Sequence, residues 1–207
     1  SNQTPYRSRK VRFLNGGHTS SVLAAYLAGF DFVDKMTADP LFGRYLRTAL
    51  FDEVFPTVQL PDGEKKAFAE SIIDRFLNPF ANHQLISISL NSISKWQVRV
   101  LPSLLDYVEL KGRLPKVLTF SFAALLAFYR GTKNADGKWI GKRAAGSYPI
   151  SDDDAKITTI NAAYAELDRS GDYRSFIETI ASKTDFWGRD LNQVPGFTDA
   201  AAAYLKS

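Results

Sequence analysis

The stretch Pro115-Lys116-Val117-Leu118-Thr119-Phe120-Ser121-Phe122-Ala123-Ala124-Leu125-Leu126-Ala127-Phe128-Tyr129 is the most apolar run of the chain. Proline at its head suits the first turn of a helix, where an absent N–H costs nothing. A helix that is apolar all round is buried on every side, so Val117 to Tyr129 predicts a central, enclosed helix. The run is too short for the roughly 20 residues that cross a bilayer, and Thr119 and Ser121 interrupt it.

Working outward, the same logic yields helices on both sides. Upstream, Pro102 opens a helix containing Leu104, Leu105 and Val108. Asp39-Pro40 and Asn78-Pro79 each pair a capping side chain with proline at the first helical position. The first predicts a helix toward Phe51 that stops before Pro56, the second a segment through Leu90. Asp62-Gly63-Glu64 opens another, with Phe68, Ile72, Ile73 and Phe76 as its inner face. Thr19 to Met36 spaces Val22, Leu23, Tyr26, Leu27, Phe30 and Val33 as one helix face. Downstream, Ser151-Asp152-Asp153-Asp154 caps a helix through Leu167. Acids in a first turn suit the positive end of the helix dipole better than they suit a cation site. Tyr173 to Lys183 and Thr198 to Leu205 are two further short helices. Between these blocks, Gly131, Gly137, Gly141 and Gly146 alternate with Lys133, Lys138, Lys142 and Arg143, which predicts a long, basic, mobile loop over 131–147, in the manner of a lid. Alternating strand patterns are not evident. The expected fold class is all-α, a single multi-helical domain of about eight to ten helices over 1–207.

Composition bounds the chemistry. The 207 residues are 45% hydrophobic, 23% charged and 13% aromatic, as in globular chains. Cysteine is absent, which removes disulfides, thiolate metal sites and cysteine nucleophiles and fits a reducing, cytoplasmic setting. A zinc site would need both histidines, His18 and His83, plus carboxylates, and no metal is expected. Of the 26 basic side chains, Arg7, Arg9, Lys10 and Arg12 lie together without an acid, and the remainder balance the 22 acids. The positive charge therefore marks one N-terminal stretch rather than a nucleic-acid-binding face. The N-terminus has no apolar signal region, and Ser1-Asn2 reads as the remnant of a cleaved tag. No glycine pair forms G-x-G, and H-E-x-x-H and G-x-S-x-G are both missing, so a nucleotide cofactor would have to be gripped outside this chain.

One stretch rises above this background: Lys10-Val11-Arg12-Phe13-Leu14-Asn15-Gly16-Gly17-His18-Thr19. On a helix, Asn15 and His18 share a face, while Lys10 lies two turns before His18 and about 80° around the axis. A lysine can exchange a hydroxyl proton, an asparagine amide can hold an oxygen that becomes alkoxide-like, and an imidazole can orient a hydroxyl. The Gly16-Gly17 pair would leave room for a ligand at the backbone. That set suits carbonyl–alcohol interconversion. The plainer reading makes Asn15 an N-cap, His18 a satisfied surface histidine and Gly-Gly a turn, in a helical interaction domain without chemistry of its own.

The same string resembles the K-x-R-x-L-N-x-x-H signature of the polyol-specific long-chain dehydrogenases, the mannitol dehydrogenase family. Arg75-Phe76-Leu77-Asn78-Pro79 resembles that family's R-F-x-N-P segment. Ser92-Ile93-Ser94-Lys95 with Leu101-Pro102 resembles its S-x-S-K and L-P, and Trp187-Gly188 with Asp190-Leu191 its W-G-x-D-L. The likeness covers about residues 9 to 192. Asn82-His83-Gln84, Leu90-Asn91-Ser92, Leu118 to Tyr129 with Arg130-Gly131, and Ser147-Tyr148-Pro149 are most similar to its tagaturonate reductase (altronate oxidoreductase) branch.

The resemblance implies the helical C-terminal domain of a two-domain, NAD-dependent oxidoreductase that interconverts D-tagaturonate and D-altronate. Its partner would be an N-terminal Rossmann domain of the same polypeptide, absent here, which binds most of the NAD and leaves this chain inactive alone. It also implies Lys10 as general acid/base, Asn15 as oxyanion stabiliser, His18 as the residue that orients substrate, and Lys95 as a contact to substrate hydroxyls or a carboxylate. Mannitol-oxidising members carry an arginine eight positions before that lysine, where Ser87 stands here. The departure disfavours plain mannitol; fructuronate and mannitol remain the alternative substrates. For a sugar-acid carboxylate, His83, Arg44 and Arg99 are all available, and His83 equally suits a structural role.

Overall fold

A computed structural model describes residues 4–207; the tag reading of Ser1-Asn2 lies outside the described residues. In chain order, α1 (Thr4–Arg9) passes through a π turn (Lys10–Asn15) into α2 (Gly16–Leu27). Then come α3 (Val33–Ala38), α4 (Pro40–Arg47), a second π segment (Thr48–Val54), a 3-10 turn (Phe55–Thr57) and α5 (Asp62–Leu77). α6 (Leu85–Ile88), α7 (Ser92–Arg99), α8 (Leu101–Lys111) and α9 (Lys116–Phe128) follow. Three strands, β1 (Gly131–Lys133), β2 (Trp139–Arg143) and β3 (Gly146–Pro149), precede α10 (Asp154–Ser170), α11 (Tyr173–Ala181), α12 (Thr184–Trp187) and α13 (Phe197–Lys206).

The apolar run at 115–129 does form the centre. α9 packs between α2 and α13. The Phe122 ring is fully enclosed and meets Trp96 of α7 at 5.2 Å, Trp187 of α12 at 5.1 Å and Phe197 of α13 at 4.9 Å. Tilted and edge-on ring pairs of this kind add to the area they bury. Both indole N–H groups are satisfied, Trp96 by Ser121 Oγ at 2.9 Å and Trp187 by the Ile180 carbonyl at 2.9 Å.

The amino end of α9 is partly enclosed, with Lys116 exposed and Leu118 buried, and Pro115 at its N-cap offers no side-chain acceptor. Glu53 takes that role from 64 residues away: Oε1 accepts from the Val117 N–H and Oε2 from the Leu118 N–H, both at 2.8 Å. Burial pushes the Glu53 carboxyl above the usual carboxylate range, and the backbone N–H donors pull it the other way. Thr119 Oγ1 returns a bond to the Pro115 carbonyl at 2.6 Å.

The stretch 131–147 corrects the expectation of a mobile loop. It is an antiparallel sheet in the order β1-β2-β3, with Gly131 opposite Gly141 and Gly141 opposite Tyr148. Its glycines have defined tasks. Gly137 sits at φ +74° in the turn, and the Tyr148 ring lies over Gly141 where a Cβ would stand. Tyr148 stacks on Phe128 at 4.5 Å and donates to the Phe128 carbonyl at 2.7 Å. Arg143 pins the sheet to the end of α2: it donates to the Tyr26 carbonyl at 2.8 Å and the Phe30 carbonyl at 3.2 Å, covers the Tyr26 ring, and pairs with Asp31.

Two expected helices break. The one drawn through 19–36 ends at Leu27, because Gly29 turns at φ +108° and the chain then pairs Phe32 with Gln84. The one drawn from Asn78 through Leu90 is split by Asn82, left-handed at φ 44°. The caps at Asp39 and Asn78 hold: Asp39 accepts from the Leu41 and Phe42 N–H groups and Asn78 from Phe80. Pro56 lies inside the 3-10 turn rather than beyond a helix end. The three aspartates before α10 are all engaged, Asp152 by the Tyr129 hydroxyl, Asp153 as N-cap to Lys156, and Asp154 by Lys133 and Trp139.

Glu53→Gln keeps the shape but presents an NH₂ to one of the two backbone donors. Leaving a buried donor unpaired costs about 1–3 kcal/mol. The urea midpoint of the variant is expected to fall accordingly at unchanged m-value; an unchanged midpoint would show that the cap carries no weight.

Candidate functional site

The site begins at the π turn over Lys10–Asn15. The Gly16 N–H reaches back five residues to the Val11 carbonyl, the spacing that defines such a turn. A π turn takes up one more residue than an α turn, which rotates everything before it by about 100° relative to everything after. The separation of about 80° expected between Lys10 and His18 in a regular helix is thereby reduced to about 20°. Lys10 and Asn15, five apart, stand one above the other, and Asn15 and His18, three apart, continue the same face.

Asn15 has helical torsions of φ −71° and ψ −39° and makes no capping bond, so it is not an N-cap. Among the described residues its amide is left without a hydrogen-bond partner, and Lys10 is exposed without an ion pair. Arg12, two residues on from Lys10, is structural: its Nη1 holds Asp106 at 2.5 Å and Thr57 Oγ1 at 3.2 Å.

Gly16 and Gly17 correct the expectation of ligand space. Both are buried and helical. A Cβ on Gly16 would lie 2.9 Å from the Arg99 carbonyl oxygen of α7, and one on Gly17 would meet Leu50 at 3.3 Å. The pair exists so that α7 and the core can touch the helix backbone.

His18 is half-buried. Its ring stacks on Phe76 at 4.1 Å and meets His83 edge-on at 5.3 Å. A cavity of about 310 Å³ opens beside it, lined also by Asp34, Arg75, Asn78 and Ala81. Burial, reinforced by His83, Arg99, Arg75 and Lys95, pushes the His18 imidazole down to about 3. It is therefore neutral near pH 7, with one ring nitrogen donating and the other accepting. The one acid on the rim, Asp34, lies 3.5 Å from Lys35.

α7 delivers Lys95. Asn91, left-handed at φ 54°, starts the helix, and its N–H donates to the Ser151 carbonyl at 3.0 Å. The Ser92 N–H donates to the Tyr129 hydroxyl at 3.0 Å, which in turn donates to Asp152 at 2.5 Å. Lys95 Nζ donates to the Ile88 carbonyl at 2.9 Å. Burial and then Arg99 hold the Lys95 amine below its ordinary range, with Asp152 opposing.

The structure thus sets His83 against His18 beside one cavity that Arg75 also lines, and Lys95 and Arg99 act on the imidazole from α7. Lys10 and Asn15, on the turn before α2, are not among the residues lining that cavity, and Arg44, on the exposed side of α4, is not among the groups acting on His18. Ser87 is exposed on α6. Arg75 stood in a quoted motif without a role, and Glu53, an acid within Ala49-Leu50-Phe51-Asp52-Glu53-Val54, was the one visible trace of the α9 cap. Among the described residues, no group of three or more His, Asp or Glu could hold a metal ion, and no helix is long and apolar enough to cross a membrane.

Residues 2–207 match the family model described as the mannitol dehydrogenase C-terminal domain. The altronate oxidoreductase of Pectobacterium atrosepticum is 38% identical over 204 residues, which are 98% of this chain and 41% of that protein. The altronate oxidoreductase of Phocaeicola vulgatus is 38% identical over 205 residues, 99% of this chain and 40% of its own. The chain therefore spans about two fifths of the length of these relatives. Pseudomonas fluorescens mannitol 2-dehydrogenase, solved as a ternary complex with NAD and D-mannitol, superposes with a TM-score of 0.82 at 22% identity, over all of this chain and 39% of that one. A substrate-free D-sorbitol dehydrogenase gives 0.75 at 22% identity, over 99% of this chain and 39% of that one. At that identity the two structures speak for the fold.

Two outcomes are expected of the isolated chain. Because folding lowers the His18 pKa, the unfolded chain binds a proton between pH 6.5 and about 3 that the folded one does not. Stability therefore falls as pH drops through that window, by up to about 1.4 kcal/mol per unit from this one group. A urea series of His18→Gln against the parent should show a shallower decline; parallel curves would refute the burial effect. Gly16→Ala should lower the melting temperature by the equivalent of about 1–3 kcal/mol, the usual cost of overpacking.

Proposed function

The chain belongs to the mannitol dehydrogenase C-terminal domain family, and on that premise we propose that it is the substrate domain of a cytoplasmic, NAD-dependent reductase interconverting D-tagaturonate and D-altronate. The observation that carries the sugar-acid reading is the set of cationic groups around one neutral imidazole: Lys95, Arg75 and Arg99 act on His18, His83 stands against it, and the one acid lining the adjoining cavity lies beside Lys35. Such a surround favours an anionic ligand over a neutral polyol. The altronate oxidoreductases at 38% identity support the same substrate class.

The nicotinamide nucleotide belongs, in this reading, to the part of the polypeptide outside this chain, a Rossmann domain, since no G-x-G turn occurs here. The mannitol 2-dehydrogenase with the same fold was solved with NAD, which supports NAD as that nucleotide. When bound, the reduced cofactor supplies the hydride that the ketone carbon takes up. All other tasks fall to this chain. The Lys10 ammonium gives its proton to the carbonyl oxygen as negative charge develops there, and in the reverse direction the amine takes it back. The Asn15 amide donates to that oxygen; its lack of a protein partner leaves it available. Neutral His18 accepts from one substrate hydroxyl and fixes the sugar, held flat by Phe76. Lys95 binds the distal end of the substrate, and His83 offers a weaker contact at the rim. No metal is needed, because the charge that develops is met by Lys10 and Asn15.

The test is NADH oxidation by the full-length polypeptide, offered D-tagaturonate, D-fructuronate and D-fructose in parallel. Preference for tagaturonate is expected. Preference for either of the others would keep the chemistry and change the substrate; no turnover by a folded protein would leave a helical interaction domain. Lys10→Ala is expected to lower kcat about 10²–10⁴-fold, the usual contribution of a positioned acid/base, and near-normal turnover would remove Lys10 from the mechanism. This chain by itself should not oxidise NADH.

A further inference from the structure

Lys95 and Arg99 are four residues apart on α7 and therefore neighbours on one helix face. Like charges at that spacing repel and weaken a helix. Lys95 has a backbone carbonyl, Ile88, for one of its three donors. Arg99 is half-buried, yet among the described residues it has neither an ion pair nor a side-chain hydrogen bond. Asp152, the acid that acts on Lys95, is already engaged by the Tyr129 hydroxyl and the Ile93 N–H. The Arg99 carbonyl packs directly on Gly16, so its residue stands beside the end of the π turn that carries Asn15. Two adjacent cations held partly out of water, acting on a neutral imidazole and without an ion pair to any carboxylate among the described residues, form a site that lacks its anion. A guanidinium offers paired N–H donors that match the two oxygens of a carboxylate.

We propose that Arg99, assisted by Lys95, grips the carboxylate of the substrate and is the residue by which the domain selects sugar acids over neutral sugars. The inference rests on the sugar-acid reading above and adds a specificity-determining residue to it. Arg75 also acts on His18 and lines the cavity beside it, but from an exposed position on α5, where water screens it; Arg44 is elsewhere.

The experiment uses the full-length enzyme with D-tagaturonate and, as the uncharged comparison, D-fructose. Arg99→Gln should lower kcat/KM for tagaturonate tenfold to a hundredfold, mostly through KM, and leave the slower fructose reaction within about twofold, which also shows that the variant folds. Arg99→Lys should recover part of the loss. Arg44→Gln, which removes the same charge from the exposed side of α4, should leave tagaturonate within about twofold. Equal losses on both substrates, no loss on either, or equal effects of Arg44→Gln and Arg99→Gln would overturn the clamp while the sugar-acid reading stood. A parent enzyme that reduces fructose but no sugar acid would overturn the reading, and the clamp with it.

Discussion

The carboxylate of Glu53 closes the amino end of α9, and much of the molecule follows from that closure. A helix whose first N–H groups are partly withdrawn from water must find acceptors for them or fray at that end. Pro115 removes one donor and Glu53 answers two others at 2.8 Å. With its end satisfied, α9 can be apolar on every face and serve as the post on which α2 and α13 rest. α2 carries His18 at its first turn, so the position of the imidazole is inherited from the post. The cost is a buried carboxyl with a raised pKa, tolerated because its oxygens are met by donors at the positive end of a helix dipole.

A second constraint acts from the other side. α7 is tied at its start by Asn91, Ser92 and Ile93 to the Ser151 carbonyl, Tyr129 and Asp152, and inward by Trp96 to Ser121. Its remaining face presents Lys95 and Arg99. The hydrogen-bond relay Ser92–Tyr129–Asp152 therefore links the end of α9, the loop before α10 and the cationic helix in one unit. The sheet plays a similar part at the far end of α2, where Arg143 donates to the Tyr26 and Phe30 carbonyls on either side of the break at Gly29.

What the sequence disclosed and what it concealed divide along physical lines. Devices built from neighbouring residues were legible: Asp39 and Asn78 as caps before proline, the acids before α10, the apolar run of α9. So was the list of side chains in the Lys10–His18 string. Their relation to one another was not, because a π turn depends on where an extra residue is absorbed, and no local propensity marks it. Gly16-Gly17 was misread for a related reason: a glycine chosen for a neighbour's backbone looks the same in sequence as one chosen for a ligand. The sheet was missed because its glycines and lysines suppress the usual alternation, although Asp136-Gly137 is a hairpin signal between β1 and β2; the Tyr148 ring over Gly141, between β2 and β3, shows only in the fold. Glu53 and Arg99 act across distance in the chain, and only the fold shows what they face.

The contact of Gly16 with the Arg99 carbonyl has a mechanical consequence. Most binding sites are spaced by side chains, which carry rotamers and hence some slack. Here the two halves of the site, the π turn and α7, meet backbone to backbone. The register of the two backbones is thus set by bond lengths and van der Waals radii, which yield little to thermal motion. Whatever adjustment this corner of the domain makes is left to the side chains beyond that contact, whose rotamers remain free.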